Sequence, residues 1–217
     1  MSKHLFRDLD NLKKELLAMG SMVELAIDKA THALVERSPD LAQEVMQGDD
    51  RIDQKENKIE EDCLKLLALH QPVAADLRMI IGVLKVNNDL ERMGDLAVNI
   101  AERATYLASN EALNTGVDFP RMTEGVRSMV KGSLDALVNQ DPQQARRVLE
   151  QDNEIDDLHR EIFKILQDSM RQDPNNVERA VHTLSASRYL ERIADLTTNI
   201  AEDVVFMVEG ELIRHSG

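Results

Sequence analysis

The chain has 217 residues, 40 acidic against 26 basic side chains for a formal charge of −14, 42% hydrophobic residues, 3% aromatic residues and no tryptophan. That acidity argues against nucleic acid as the main ligand and against direct adhesion to anionic lipid, since both need basic surface. The single cysteine, Cys63, excludes an intrachain disulfide, fits a reducing compartment and reads as a small buried hydrophobe.

The N-terminus lacks the apolar core of a signal peptide, and no run approaches the ~18 apolar residues of a spanning helix. The expectation is a cytoplasmic protein with no membrane insertion. Taken in order, the chain shows helical periodicity and nothing that alternates as a strand does. Ser38-Pro39, Asp141-Pro142 and Asp173-Pro174 each read as an N-cap followed by a proline in the first turn, where its missing N–H costs nothing. Gln71-Pro72 and Phe119-Pro120 mark two further starts. Six helices follow, at roughly 4–36, 39–69, 72–108, 119–139, 142–171 and 174–213. Short turns make them antiparallel neighbours.

The one longer, turn-rich connection, 109–118, falls midway. Pro39 and Pro142 are 103 residues apart, and Pro72 and Pro174 are 102 apart. The predicted fold is therefore all-α: two tandem three-helix bundles related by internal duplication, spanning 1–110 and 111–217. The halves are related either by a pseudo-twofold axis or by a translation.

The duplication is sharpest at Leu90–Glu102, Leu-Glu-Arg-Met-Gly-Asp-Leu-Ala-Val-Asn-Ile-Ala-Glu, which returns as Leu190–Glu202 with nine of thirteen positions identical. At about 100° per residue, Glu91, Asp95 and Glu102 fall within an arc of about 40° that continues the stripe of Leu77, Ile80 and Leu84. Glu191, Asp195 and Glu202 extend a matching stripe from Val177, Ala180 and Leu184. A carboxylate turned toward a core must be neutralised, paired or metal-bound.

The second helix of each half carries its own acids, Asp49 with Asp53 and Asp152 with Asp156, again 103 apart. A turn centred near His70 brings Asp49 level with Glu91, and one near Gln172 brings Asp152 level with Glu191. The expected sites are thus Glu91, Asp95, Asp49 and Asp53 in one bundle, and Glu191, Asp195, Asp152 and Asp156 in the other, with Glu102 and Glu202 at the edge. Oxygen donors, with His159 the one plausible nitrogen, suit Mg²⁺, Mn²⁺, Ca²⁺ or iron better than structural zinc. Ion pairs with Arg92, Arg188, Arg192 or the lysines of helix one are the alternative. Asn99 and Asn199 read as donors to these acids or as interhelical hydrogen bonds.

Ferritin-like di-iron sites need Glu-x-x-His on two helices, and the chain has none; Asp156-x-x-His159 is the nearest approach. His4, His32, His70, His182 and His215 lack metal-ligand spacing and read as surface or helix-end residues. There is no phosphate loop and no nucleophile elbow. A helical scaffold with salt-bridged acids and, more weakly, a hydrolytic metalloenzyme stay open beside metal binding.

The duplicated segments carrying Glu91-x-x-x-Asp95 and Glu191-x-x-x-Asp195, with Leu67-Ala-Leu-His-Gln-Pro72 leading into the third helix, resemble the PhoU family of bacterial phosphate-transport accessory regulators. The resemblance spans the chain. It implies a cytoplasmic, usually dimeric regulator, not an enzyme, that binds divalent metal clusters (iron, Mn²⁺ or Mg²⁺, with zinc behind them) through those motifs. It further implies restraint of the phosphate-starvation response. The implied partners are the ATPase subunit of the phosphate ABC transporter, which would bring the protein to the inner membrane's periphery, and a sensor histidine kinase.

Overall fold

Side-chain caps set three of the helix starts in the computed structural model, which describes residues 3–211 and 213. Ser38 accepts from Leu41 N at 3.4 Å, Asp118 from Arg121 N at 3.1 Å, and Asp141 from Gln143 N and Gln144 N at 2.9 and 3.0 Å. Each satisfies N–H groups that the first helical turn leaves without a partner. The helices are α1 (Lys3–Glu36), α2 (Pro39–Gly48), α3 (Asp50–His70), α4 (Ala74–Ala108), α5 (Phe119–Asn139), α6 (Pro142–Gln172) and α7 (Val177–Glu209). A single 3₁₀ turn, Pro174–Asn176, capped by Asp173, leads into α7. The described residues contain no strand.

The expected second helix is divided. Asp49 keeps helical angles, φ −64 and ψ −46, but Gly48 ends one hydrogen-bond ladder and Asp50 starts the next. Glycine at Gly48 weakens the ladder, and the Asp49 side chain makes no cap bond to repair it. The equivalent α6 runs unbroken. The last helix ends at Glu209 instead of 213, closed by Gly210 at φ +79 with its N–H on Phe206 O.

α1, α2–α3 and α4 pack as one unit and α5, α6 and α7 as the other, joined through α4 against α7 and α1 against α5. Lys85 faces Asp203 at 2.9 Å, and Tyr106 stacks on His182 with ring centroids 3.6 Å apart. Climbing α4 from 85 to 106 thus means descending α7 from 203 to 182. Two equivalent helices packed antiparallel are related by a pseudo-twofold axis, which settles that alternative against a translation.

The interior is aliphatic and continuous across both halves. Leu16, Met19, Ile27, Leu90, Met93, Ile100, Met129, Leu166, Leu190 and Ile200 are 2% exposed or less. Each such side chain contributes about 1.5–3 kcal/mol by leaving water. Gly82 of α4 leaves room for Met207 of α7: a Cβ there would collide with Met207 Cγ and Sδ. Cys63 is fully buried, its thiol pushed up to about 12 by that burial, as an inert core residue should be.

Candidate metal centre

The turn between α3 and α4 decides which acids meet. It takes three residues, Gln71 in the left-handed region (φ 45), Pro72 and Val73, before α4 begins at Ala74. That moves the register by almost one helical turn from the expected one. Asn87 Nδ2 donates to Glu56 O at 3.0 Å, and a Cβ on Gly94 would lie 3.5 Å from Asp49 Oδ1. Asp49 therefore sits beside Gly94 and Asp95, and Asp53 comes up to Glu91. In the second half His159 meets Ser187 at 2.8 Å, which places Asp152 beside Asp195 in the same way.

The carboxylates line grooves instead of facing the core. Asp49, Glu91, Asp152, Asp156 and Glu191 are half-buried, while Asp53, Asp95 and Asp195 are exposed. The inward line of α4 at this height is Leu90, Met93, Gly94 and Ala97, all fully buried. Glu91 and Asp95 flank that line and look out between α3 and α4, a distinction a single helical stripe does not resolve.

Their electrostatics are those of like charges confined together. Burial, then the charges of Asp53, Asp95 and Asp50, holds Asp49 above the usual carboxylate range. Glu91 is raised by burial, then by Asp95, Asp53, Glu56 and Asp49. Asp152 is pushed up to about 6, again chiefly by burial, with Asp156 and Asp195 adding to it. Loss of water around the carboxyl raises Glu191 and, although its residue is exposed at the groove's rim, Asp195. Asp195 and then Asp156 add to Glu191, and Asp156 to Asp195, while Arg188 and Arg192 offset part at Glu191 and Arg192 at Asp195.

Asp152 Oδ1 is buried with no hydrogen-bond partner. Among the described residues, none of the eight carboxylates is held by an ion pair or side-chain hydrogen bond. Glu15, on α1, draws Lys55 and Lys58 of α3 away to itself at 2.6 and 2.7 Å. Nor, among the described residues, do three Asp, Glu, His or Cys side chains converge on one point that a single ion could fill. The acids are neighbours across each groove, spread as repulsion between them requires.

Several neighbouring positions resolve differently from their sequence reading. Glu102 pairs with Arg103 at 2.9 Å, outside the groove. Asn99 donates to Asp95 O within its own helix. His70 ends α3 against Asp8 at 3.2 Å, but His182 is a half-buried stacking partner and not a surface residue. His215 lies outside the described residues. Two acids omitted from the expected site adjoin it: Glu56, raised by burial, Glu60 and Asp53, and Glu60 itself. Their signal was the continuation of the 49–53 stripe at 56 and 60. The Lys85–Asp203 pair, with Asp203 1% exposed, was not anticipated.

Tandem three-helix units, each with facing acids at equivalent positions, define a duplicated helical-bundle protein of one repeating domain. The model of the PhoU domain matches the chain twice, over residues 16–104 and 119–204, and the chain belongs to the PhoU family. It is 43% identical to the phosphate-specific transport system accessory protein PhoU homolog of Aquifex aeolicus (strain VF5), over 97% of this chain and 96% of that one. The crystal structure of PhoU from Pseudomonas aeruginosa superposes with a TM-score of 0.92 at 37% identity, covering 94% of this chain and 99% of the other. That of the phosphate transport system regulatory protein PhoU from Streptococcus pneumoniae gives 0.85 at 27% identity, covering 96% and 98%. Among the described residues no helix is long and apolar enough to cross a membrane.

Proposed function

We propose that the chain is a non-catalytic regulator of phosphate transport that holds divalent cations in its two acidic grooves. One observation carries the metal reading: in both halves, acids from neighbouring helices are gathered at equivalent positions with no basic partner in ion-pair contact. Asp49, Asp53, Glu91 and Asp95 would hold metal in the first groove, and Asp152, Asp156, Glu191 and Asp195 in the second. The partnerless Asp152 Oδ1 and the oxygen donors fit a hard divalent ion, Mg²⁺, Mn²⁺ or iron ahead of zinc. A bound ion supplies the positive charge these acids lack. Because each groove lies between two helices, filling it ties α3 to α4 and α6 to α7, a change of stiffness that a partner can sense.

The relatives' names speak of phosphate-specific transport. With the family resemblance, the reading extends to restraint of the phosphate-starvation response by a cytoplasmic homodimer. It contacts the transporter's ATPase subunit, and so the periphery of the inner membrane, as well as a sensor histidine kinase. The test is deletion in the source organism. Phosphate-scavenging genes should switch on in phosphate-rich medium and be silenced again by the wild-type chain. Unchanged expression after deletion would refute the regulatory role, and phosphoesterase activity in the metal-loaded protein would refute the non-catalytic one.

A further inference from the structure

The duplication that gives both grooves their acids breaks further along the same helix face. The 103-residue offset that pairs Asp49 with Asp152 and Asp53 with Asp156 goes on to pair Glu56 with His159 and Glu60 with Phe163. Positions 152, 156 and 159 fall on one face of α6. The first groove thus gains two more carboxylates, and the second gains an imidazole and a phenyl ring.

That imidazole is anchored through one of its two nitrogens. Its Nδ1 lies 2.8 Å from the hydroxyl of Ser187, a fully buried residue of α7. The Ser187 oxygen also lies 3.5 Å from Met122 Sδ. In the tautomer whose Nδ1–H donates to that oxygen, Nε2 keeps its lone pair, and a metal bound at Nε2 selects that tautomer. Nε2 has no hydrogen-bond partner among the described residues. Metal-binding histidines are prepared in this way, one ring nitrogen donating to a fixed oxygen and the other presenting its lone pair. Burial and then the Arg188 guanidinium hold the ring toward its neutral, metal-competent form, with the Asp156 carboxylate close enough to oppose them in part. At the equivalent place in the first half, Asn87 bonds the backbone carbonyl of Glu56 and leaves the carboxylate itself unheld.

We infer that His159 is a nitrogen ligand of the second groove, so that one chain carries two chemically different metal centres, all-oxygen in the first half and mixed oxygen and nitrogen in the second. This rests on the metal reading proposed above. Imidazole favours later transition ions such as Co²⁺, Fe²⁺ or Zn²⁺, whereas carboxylates alone suit Mg²⁺, Mn²⁺ or Ca²⁺. Ser187 is a positioning residue for the ring.

The test loads chelator-stripped full-length protein with Co²⁺ and records its X-ray absorption fine structure beside metal content. Wild type should show imidazole scattering. In H159Q that scattering should vanish, with second-site Co²⁺ affinity lowered on the order of tenfold or more. S187A, which frees the ring without removing it, should weaken Co²⁺ binding and keep the scattering, and it serves as the test if H159Q does not fold. Co²⁺ bound by wild type without imidazole scattering, or scattering that persists in a folded H159Q, overturns the assignment while leaving the metal reading intact. A wild-type chain that binds neither Co²⁺ nor Mn²⁺ overturns both.

Discussion

Replacing Asp152 by Asn should stabilise the metal-free chain at neutral pH. The carboxyl titrates at about 6, against an ordinary value of 3.8, because it is buried beside Asp156 and Asp195. A folded-state pKa above the unfolded one means that, between those values, the native state holds a proton the unfolded chain has released. Stability therefore falls as pH rises from about 4 to about 6, and the whole loss is present above that. Two units correspond to at most about 3 kcal/mol. The groove is only half-buried, and solvent screening reduces this to about 1–2 kcal/mol. Asn keeps the shape and removes the charge, so thermal melts in EDTA at pH 7.5 should rise by about 2–8 °C. At pH 3 the two proteins should melt together, because Asp152 is protonated in both states. A variant that melts lower than wild type at pH 7.5 in EDTA, or one with an equal gain at both pH values, would refute the reasoning.

Gly82→Ala should destabilise by about 1–3 kcal/mol through collision with Met207, and Met207→Ala in the same chain should recover part of the loss in urea melts. Lys85→Met takes the cation from Asp203, a carboxylate 1% exposed, and should cost about 2–4 kcal/mol, with Asp203→Asn beside it restoring much of that. Asp141→Ala removes an acceptor serving two backbone N–H groups and should cost about 1 kcal/mol, measured the same way.

The helices and their duplication were legible because the signals are local. A proline after Ser38, Asp141 or Asp173 marks a start, and a repeat of 100 to 103 residues marks two copies. Which acids stand opposite one another was legible only to within a turn. Counting from His70 assumes a tight reversal, whereas Gln71, Pro72 and Val73 carry the chain further before α4 begins. The exposure of Asp95 and Asp195 escaped for a related reason. A helical stripe tells which residues share a face but not which flank of it the neighbouring helices cover. The opposition of Lys85 to Asp203 depends on how the two halves dock, about which neither segment says anything alone. The break at Asp49 lies between these cases, since Gly48 signals weakness but not that the ladder gives way.

The account stands or falls on whether the duplicated acids hold cations. Metal content per chain, measured by elemental analysis on protein purified without chelator, tests this directly when wild type is compared with Asp95→Asn and Asp195→Asn. The account predicts divalent metal in wild type, with each variant losing the share of its own half and keeping the other's. Wild-type protein without bound metal, together with a lower melting temperature for Asp95→Asn in chelator, would contradict it and leave the grooves as part of a metal-free scaffold.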